Sequence, residues 1–132
     1  MVLVDTDILA YLLIEGDRTA AAQELYARDP DWRSEGFILV EFSNVLATQV
    51  RAKTLAREQG TRLLADARAL IPEPASVPHA DALQTANQFG ISAYDARFIV
   101  VAMQMKLKLI TEDTKLRSAV PSWTASLAGT LG

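Results

Sequence analysis

The sequence contains no cysteine and has little proline, glycine or histidine. Among 132 residues there are five prolines, six glycines and a single histidine. The absence of cysteine excludes disulfide frameworks, thiolate zinc sites and cysteine nucleophiles, and it agrees with a reducing compartment. With 50% hydrophobic and 22% charged residues, the composition is not that of a disordered, collagen-like or coiled-coil chain. We therefore expect a single globular domain over residues 1–132.

Long hydrophobic runs are also missing. The longest unbroken apolar run, residues 8–14, has seven residues, whereas a membrane-spanning helix needs about 20. The opening residues MVLVD lack the basic start and the longer apolar stretch of a secretion signal. These two features predict a cytoplasmic protein that makes no contact with a membrane.

The net charge is −3, and it is distributed unevenly along the chain. Residues 1–50 carry three basic and nine acidic side chains, whereas residues 51–132 carry ten basic and seven acidic ones. Nucleic-acid-binding domains usually present a basic surface. The acidity therefore argues against a nucleic-acid protein unless the acids gather at a metal site.

Short apolar runs alternate with helical patterns along the whole chain. Strands are predicted at residues 1–4, 37–40, 75–77, 107–111 and 123–127. Helices are predicted at residues 8–14, 18–28, 41–50, 54–70, 79–89, 94–105 and 113–120, with Asp17 and Thr54 as caps at two starts and Gly90 at one end. This alternation predicts an α/β fold in which a parallel sheet carries helices on both faces.

Acidic residues follow three of the predicted strands. Asp5 follows the first, Glu41 the second, and Glu112 and Asp113 the strand near residue 110. Because ligands bind at the carboxyl ends of parallel strands, these side chains are candidates to converge there. Asp95 is the only carboxylate in the apolar helix 94–105, where an uncompensated charge would be costly. A crevice of carboxylates favours a hard divalent cation, Mg²⁺ or Mn²⁺.

Each of these acids also has a purely structural interpretation. Asp5 and Asp113 could cap the helices that follow them, and Glu41 could lie in a first turn where the helix dipole favours negative charge. Asp95 could form an ion pair with Arg97 or with a remote arginine. A capping role explains one acid after one strand, but it does not explain the recurrence of the pattern or the acid within a buried helix.

Four segments together resemble the motifs of the PIN-domain ribonucleases, and specifically the VapC-type toxins of toxin–antitoxin pairs. The segments are residues 4–6 with Leu9 and Leu12, residues 41–46, residues 92–96 and residues 109–113. The resemblance covers almost the whole chain and implies a parallel sheet of about five strands. It also implies catalytic, metal-binding acids at Asp5, Glu41, Asp95 and Asp113, with support from Thr6, Thr111 and Asn44.

The function implied by this resemblance is divalent-metal-dependent hydrolysis of RNA phosphodiester bonds, with water as the nucleophile. A cognate antitoxin and a homodimer are implied as partners. Two early helices carry the apolar residues Ile8, Leu12, Leu13, Leu25 and Tyr26. These side chains could form a groove for the antitoxin, although most of them are expected to fill the core and only a few exposed anchors would be needed. The acidity of residues 1–50 would attract a basic peptide to this part of the chain.

Asp7 departs from the pattern, because many relatives have Asn or Ser at that position. The extra charge could tighten metal binding, hold an inactive ion geometry, or simply cap the following helix. The basic residues of the region after residue 50 also have two interpretations, a track for the RNA backbone or a solvated helix face. They are Arg51, Lys53, Arg57, Arg62 and Arg68.

Two other function classes stay open at this stage. Residues 4–7, Val-Asp-Thr-Asp, resemble the start of a haloacid dehalogenase-like phosphatase site, but Ile8 and Leu9 follow where that motif has Gly and Thr. A binding module without catalysis, whose acids hold a structural ion, is the second. Divalent-dependent RNA cleavage that EDTA abolishes would separate a nuclease from both.

Overall fold

The computed structural model describes residues 1–132 and has the predicted α/β architecture. Its strands are β1 Val2–Val4, β2 Trp32–Arg33, β3 Leu109–Ile110 and β4 Thr124–Ala125. Its helices are α1 Thr6–Leu13, α2 Thr19–Arg28, α3 Phe37–Arg51, α4 Arg57–Leu70, α5 His79–Phe89, α6 Ala93–Met105, α7 Thr114–Ala119 and α8 Leu127–Leu131, and a 3-10 turn at Pro121–Trp123 precedes β4.

The four strands form one parallel sheet in the order β2-β1-β3-β4. The two central strands are buried on both faces, as their continuous apolar sequences predict. The strand predicted at residues 75–77 is reduced to a single parallel bridge between Glu35 and Ala75. In this bridge the Gly36 N–H donates to the Ala75 carbonyl at 2.7 Å, and the Ala75 N–H donates to the Ser34 carbonyl at 2.9 Å. The sheet therefore has four strands and one bridge where about five strands were expected.

The strand predicted at residues 37–40 is wrong, because these residues form the first turn of α3. A four-residue apolar run fits a buried strand or a buried helix equally well. The following sequence decides between them, since Ile38, Phe42 and Leu46 recur every four residues and are all buried. Val40, in contrast, is 60% exposed.

Two of the acids do cap helices. The Asp5 carboxylate accepts a hydrogen bond from the Ile8 N–H at 3.2 Å, and Asp113 accepts one from the Leu116 N–H at 3.0 Å. Asp7 is therefore not the cap of α1, as one interpretation had it. Gly90 ends α5 in the left-handed conformation with φ of 66°, as predicted.

The other two predicted caps are wrong. Thr54 does not cap α4, because its hydroxyl donates to the Gln49 carbonyl at the end of α3, at 3.0 Å. Helix α4 begins after Ala56, whose own N–H is held by the Gln59 side chain. Asp17 lies two residues before the start of α2, and Arg18 occupies the cap position without a side-chain hydrogen bond.

The hydrophobic core fills the space between the sheet and the helices, and α6 is its central helix, as predicted. Phe98, Ile99, Val101 and Ala102 on this helix are all buried. The start of α6 is thereby held firmly at the carboxyl edge of the sheet. None of the helices combines the length and the hydrophobicity that crossing a membrane requires.

Candidate active site

The carboxyl ends of β1 and β3 lie side by side and position two of the predicted acids. Val4 of β1 pairs with Ile110 of β3, and the Asp5 N–H donates to the Ile110 carbonyl at 3.3 Å. Asp5 follows β1 directly, and Asp113 lies three residues beyond β3. Because both residues cap helices, the positive ends of the α1 and α7 dipoles lie at this edge and favour negative charge there.

Two further predicted acids reach the same edge from the flanking helices. Asp95 lies in the first turn of α6, and its N–H donates to the Ser92 hydroxyl at 3.0 Å. Glu41 lies one turn into α3. Its position was predicted from a strand that does not exist, but α3 begins close to the sheet edge, so Glu41 still arrives there. Both side chains are half-buried.

The electrostatic influence of these acids on one another indicates that they lie close together at this edge. Burial raises the pKa of Asp5 to about 7 from an ordinary value of 3.8, against an opposing hydrogen bond from Thr111, and the charges of Asp7 and Glu41 raise it further. Desolvation also raises the pKa of Glu41, with additional contributions from Asp95 and Asp7. Burial and the charge of Asp113 raise the pKa of Asp95.

Asp7 belongs to this group although its side chain, like that of Asp113, is exposed. Partial desolvation, followed by the charge of Asp113, raises the pKa of Asp7. The pKa values of Asp5, Asp7, Glu41 and Asp95 are thus each raised by desolvation and by the charge of at least one neighbouring acid, as expected for carboxylates that lie close together. We call this group of Asp5, Asp7, Glu41, Asp95 and Asp113 the acidic crevice.

Two threonine hydroxyls orient the carboxylates. The buried Thr6 hydroxyl donates to Glu41 at 2.7 Å. The fully buried Thr111 bonds to Asp5 and accepts the Asp113 N–H at 3.1 Å, so it links the two caps. Asn44, one helical turn beyond Glu41, lies exposed at the rim of a cavity of about 320 Å³. The cavity is lined by Thr6, Asp7, Phe37, Val40, Glu41, Asn44 and Val45.

The chemistry of the donor set fits a hard divalent cation. All its donors are carboxylate and hydroxyl oxygens, which Mg²⁺ and Mn²⁺ prefer. Desolvation and neighbouring acids raise the pKa values of Asp5, Glu41 and Asp95, and a bound cation would favour their charged forms. The carboxylates do not, however, form a ready-made cage, because no three acidic or histidine side chains are arranged to hold an ion together. Water molecules would have to complete the coordination, as is usual for Mg²⁺.

The raised pKa of Asp5 predicts how the stability of the metal-free protein depends on pH. The folded state binds a proton at Asp5 up to about pH 7, whereas the unfolded chain releases it near pH 3.8. The free energy of unfolding should therefore rise as the pH falls from about 7 towards 4, by up to about 1.4 kcal/mol per unit. Thermal melts in EDTA at several pH values measure this.

Asp5→Asn should remove most of this pH dependence and stabilise the metal-free protein at pH 8. The exposed Asp17→Asn provides the matched control and should leave the profile unchanged. An Asp5→Asn melt with the wild-type pH profile would place the titrating group elsewhere.

Arg97 and Glu112 have structural partners outside the acidic crevice. Arg97 does not pair with Asp95. Its guanidinium donates to the Val77 carbonyl at 2.8 Å and to the buried Glu35 at 3.4 Å. Glu112 bonds to Arg18, to Arg117 at 3.2 Å and to the Leu127 N–H at 3.1 Å. Each of the three arginines, Arg18, Arg97 and Arg117, is thus bonded to other groups of the protein.

Comparisons with known proteins agree with this architecture. The family model described as the PIN domain matches residues 2–120. A comparison with curated protein sequences found no match.

Two solved structures share the fold. The crystal structure of PAE2754 from Pyrobaculum aerophilum superposes with a TM-score of 0.78 at 21% identity, covering 98% of this chain and 85% of that one. The crystal structure of FitAcB from Neisseria gonorrhoeae superposes with a TM-score of 0.68 at 18% identity, covering 96% of both chains. At these identities the similarity shows the fold alone. The family match extends over most of the sequence and includes all four acidic motifs, and the chain therefore belongs to the PIN-domain family.

Proposed function

We propose that the protein is a divalent-metal-dependent endoribonuclease whose active site is the acidic crevice. The observation that carries the proposal is the convergence of carboxylates at the carboxyl edge of the sheet, where Asp5, Asp7, Glu41 and Asp95 are desolvated and the pKa of each is raised by a neighbouring acid. PIN domains are generally metal-dependent nucleases, which agrees with this chemistry. The same family match argues against the dehalogenase-like alternative.

Asp5, Glu41, Asp95 and Asp113 would hold Mg²⁺ or Mn²⁺. When bound, such a cation lowers the pKa of a water molecule and stabilises the charge that develops on the phosphodiester oxygens. The chain's own contribution is orientation. Thr6 fixes Glu41, and Thr111 fixes Asp5 and the backbone of Asp113, so these carboxylates need little rearrangement. Asn44 offers an uncharged donor at the rim, where a carboxylate would repel phosphate.

Incubation of the purified protein with single-stranded RNA tests the proposal. Cleavage should appear with Mg²⁺ or Mn²⁺, disappear in EDTA and return when Mn²⁺ is added in excess. Sequencing the RNA ends should show 5′-phosphates, as expected when water is the nucleophile. Binding of Mn²⁺ without cleavage of any RNA would instead favour the binding module.

Glu41→Gln should weaken Mn²⁺ binding more than Asp7→Asn does. Glu41 is half-buried and held by Thr6, whereas Asp7 is exposed at the rim. Replacing a residue that only hydrogen-bonds to a metal ligand lowers metal affinity about 10–100-fold, so replacing a ligand itself should lower the affinity at least as much. Calorimetric titration of both variants measures the difference, and each substitution removes one carboxylate charge. If both variants lost the same factor in Mn²⁺ affinity, Asp7 would have to be counted as a metal ligand.

We also propose that the protein is the toxin of a type II pair, acts in the cytoplasm and forms a homodimer. The groove considered for the antitoxin between α1 and α2 is partly core, because Ile8 and Leu25 are buried, Leu12 and Leu13 are half-buried and only Tyr26 is exposed. A cavity of about 270 Å³ between the end of α1 and α4 is a better candidate, since Leu13, Ile14, Leu55 and Leu63 line it. Light scattering of the isolated chain tests the dimer, and co-purification with the product of a neighbouring small gene tests the partner.

A further inference from the structure

A stacked aromatic pair lies next to the cavity at the acidic crevice, because one of its members, the half-buried Phe37, lines that cavity together with Asp7 and Glu41. Phe37 is the first residue of α3, and Tyr94 is the second residue of α6. Their ring centroids are 5.2 Å apart and their planes differ by 4°, so the rings form a parallel, offset stack. The two rings thus join the two helices that carry Glu41 and Asp95.

Tyr94 is unusually exposed for a packed aromatic residue. It remains 63% exposed, although Phe37 covers one of its faces. The open area therefore comes from the other face and the edge of the ring. Tyr94 directly precedes Asp95, and Phe37 lies one helical turn before Glu41. Since Phe37 lines the cavity that Asp7 and Glu41 also line, the Tyr94 ring stacked on it lies beside that cavity.

The other exposed tyrosine has a different setting. Tyr26 is 40% exposed and contacts Trp32 edge-on, with centroids 5.7 Å apart and planes at 77°. Trp32 pairs with Val2 at the amino end of the sheet, opposite to the acidic crevice. Among the exposed tyrosines, only Tyr94 therefore combines a parallel backing ring with a position beside the acids.

We propose that the open face of Tyr94 stacks on an unpaired base of the RNA, next to the phosphodiester that is cut; this inference rests on the proposed ribonuclease function. Apart from the phosphodiester that a bound cation would hold, the phosphates of an RNA strand are repelled by a wall of carboxylates. Next to that phosphodiester, the uncharged base is the part of a nucleotide that can approach the wall. Proteins bind single-stranded RNA by stacking bases on aromatic side chains, and Phe37 holds the Tyr94 ring in a fixed orientation for this contact.

The stack explains how a protein with net charge −3 could hold an RNA strand at an acidic site. Base stacking does not depend on positive charge, and it tolerates any base because each has a π face. Tyr94 would act by positioning the nucleotide beside the cut bond. It would set a requirement for an unpaired base at one position rather than a requirement for a particular sequence.

Cleavage of a short single-stranded RNA of mixed sequence tests this inference, with Mn²⁺ present and with each nucleotide near the cut replaced in turn by an abasic one. Tyr94→Ala should lower kcat/KM about tenfold, mainly through KM, and Tyr94→Phe should restore it. The wild type should lose a similar factor on one abasic substrate. On that same substrate, Tyr94→Ala should have the same kcat/KM as the wild type, because the stacking contact needs both the base and the Tyr94 ring and the base is already missing.

The matched control is Tyr26→Ala, which removes an exposed tyrosine from the opposite end of the sheet and should leave cleavage unchanged. Calorimetry should show that Tyr94→Ala binds Mn²⁺ as the wild type does, which excludes an indirect effect through Asp95. Two results would overturn the inference and leave the ribonuclease proposal standing. One is that Tyr94→Ala lowers kcat/KM by the same factor on every abasic substrate. The other is that Tyr94→Ala cleaves RNA with wild-type kinetics. If light scattering showed that Tyr94→Ala turns a dimer into a monomer, the open face of Tyr94 would belong to the contact with a second copy of the chain, and the inference would also be overturned. A wild-type protein that cuts no RNA would overturn both proposals.

Discussion

Asp5→Asn, Asp95→Asn and Asp113→Asn are each expected to lower the kcat/KM for divalent-dependent RNA cleavage by more than about a hundredfold. The three carboxylates come from different elements of the fold but face one crevice. Changing a partner that merely supports a metal ligand costs about 10–100-fold, so removing a ligand charge should cost more. Metal affinity should fall in parallel, because the amide oxygen that replaces the carboxylate carries no charge.

The fold should survive all three substitutions. Asp5 and Asp113 cap α1 and α7, and asparagine caps a helix as well as aspartate does. Asp95 makes no side-chain cap, so its replacement removes only charge. Circular dichroism and thermal melts in EDTA check this, and the melts should show equal or greater stability because repulsion is relieved.

Asp81→Asn is the matched control for Asp95→Asn. Asp81 lies in the first turn of α5, as Asp95 lies in the first turn of α6, but it is exposed and has no part in the acidic crevice. Its replacement should leave cleavage unaltered. Wild-type turnover and Mn²⁺ affinity in Asp95→Asn would remove Asp95 from the proposed site.

Glu35→Ala is expected to lower the free energy of unfolding by roughly 3–5 kcal/mol, the cost of breaking a buried ion pair by removing one partner. The Glu35 side chain is only 4% exposed. It accepts hydrogen bonds from the Phe37 N–H at 2.7 Å, the Val77 N–H at 3.3 Å and the Arg97 guanidinium at 3.4 Å. Alanine would leave two backbone donors and a largely buried cation without this acceptor.

Urea unfolding measures the effect, with Glu24→Ala as the control. Glu24 also pairs with an arginine, Arg28, at 2.7 Å, but both side chains are about half exposed. Such a pair along a helix contributes only about 0.3–0.5 kcal/mol. Glu35→Gln should fall between the two, since it keeps an acceptor but loses the charge. Similar losses for Glu35→Ala and Glu24→Ala would show that the buried network is not a stabilising element.

The sequence predicts well those parts of the site that depend on local patterns. Asp5 and Asp113 follow short apolar strands whose parallel pairing brings their ends together, and this could be read from residues 1–5 and 107–113. The central helix α6 was evident from its apolar composition. Glu41 reached the crevice although its strand was wrong, because α3 begins near the edge of the sheet at which a strand over residues 37–40 would have ended.

Features that depend on distant pairs could not be predicted. Glu35 and Arg97 are 62 residues apart, and nothing near either residue marks the other as its partner. The Phe37–Tyr94 stack joins the starts of two helices that only the folded chain brings together. The strand predicted at residues 75–77 is reduced to one bridge for a related reason, since its pairing depends on how the chain after β2 turns into α3.

The single bridge between Glu35 and Ala75 has a consequence for the lifetime of the assembled site. Two backbone hydrogen bonds close this edge of the sheet, and α3 begins immediately after them, with its first N–H held by Glu35. Local opening of a protein proceeds in contiguous units. The first turn of α3 should therefore unzip together with the bridge, and Glu41 leaves its neighbours when it does. Hydrogen–deuterium exchange at the Gly36, Phe37 and Ala75 amides should thus occur with one common rate, and that rate should report how often Glu41 separates from the other acids of the acidic crevice.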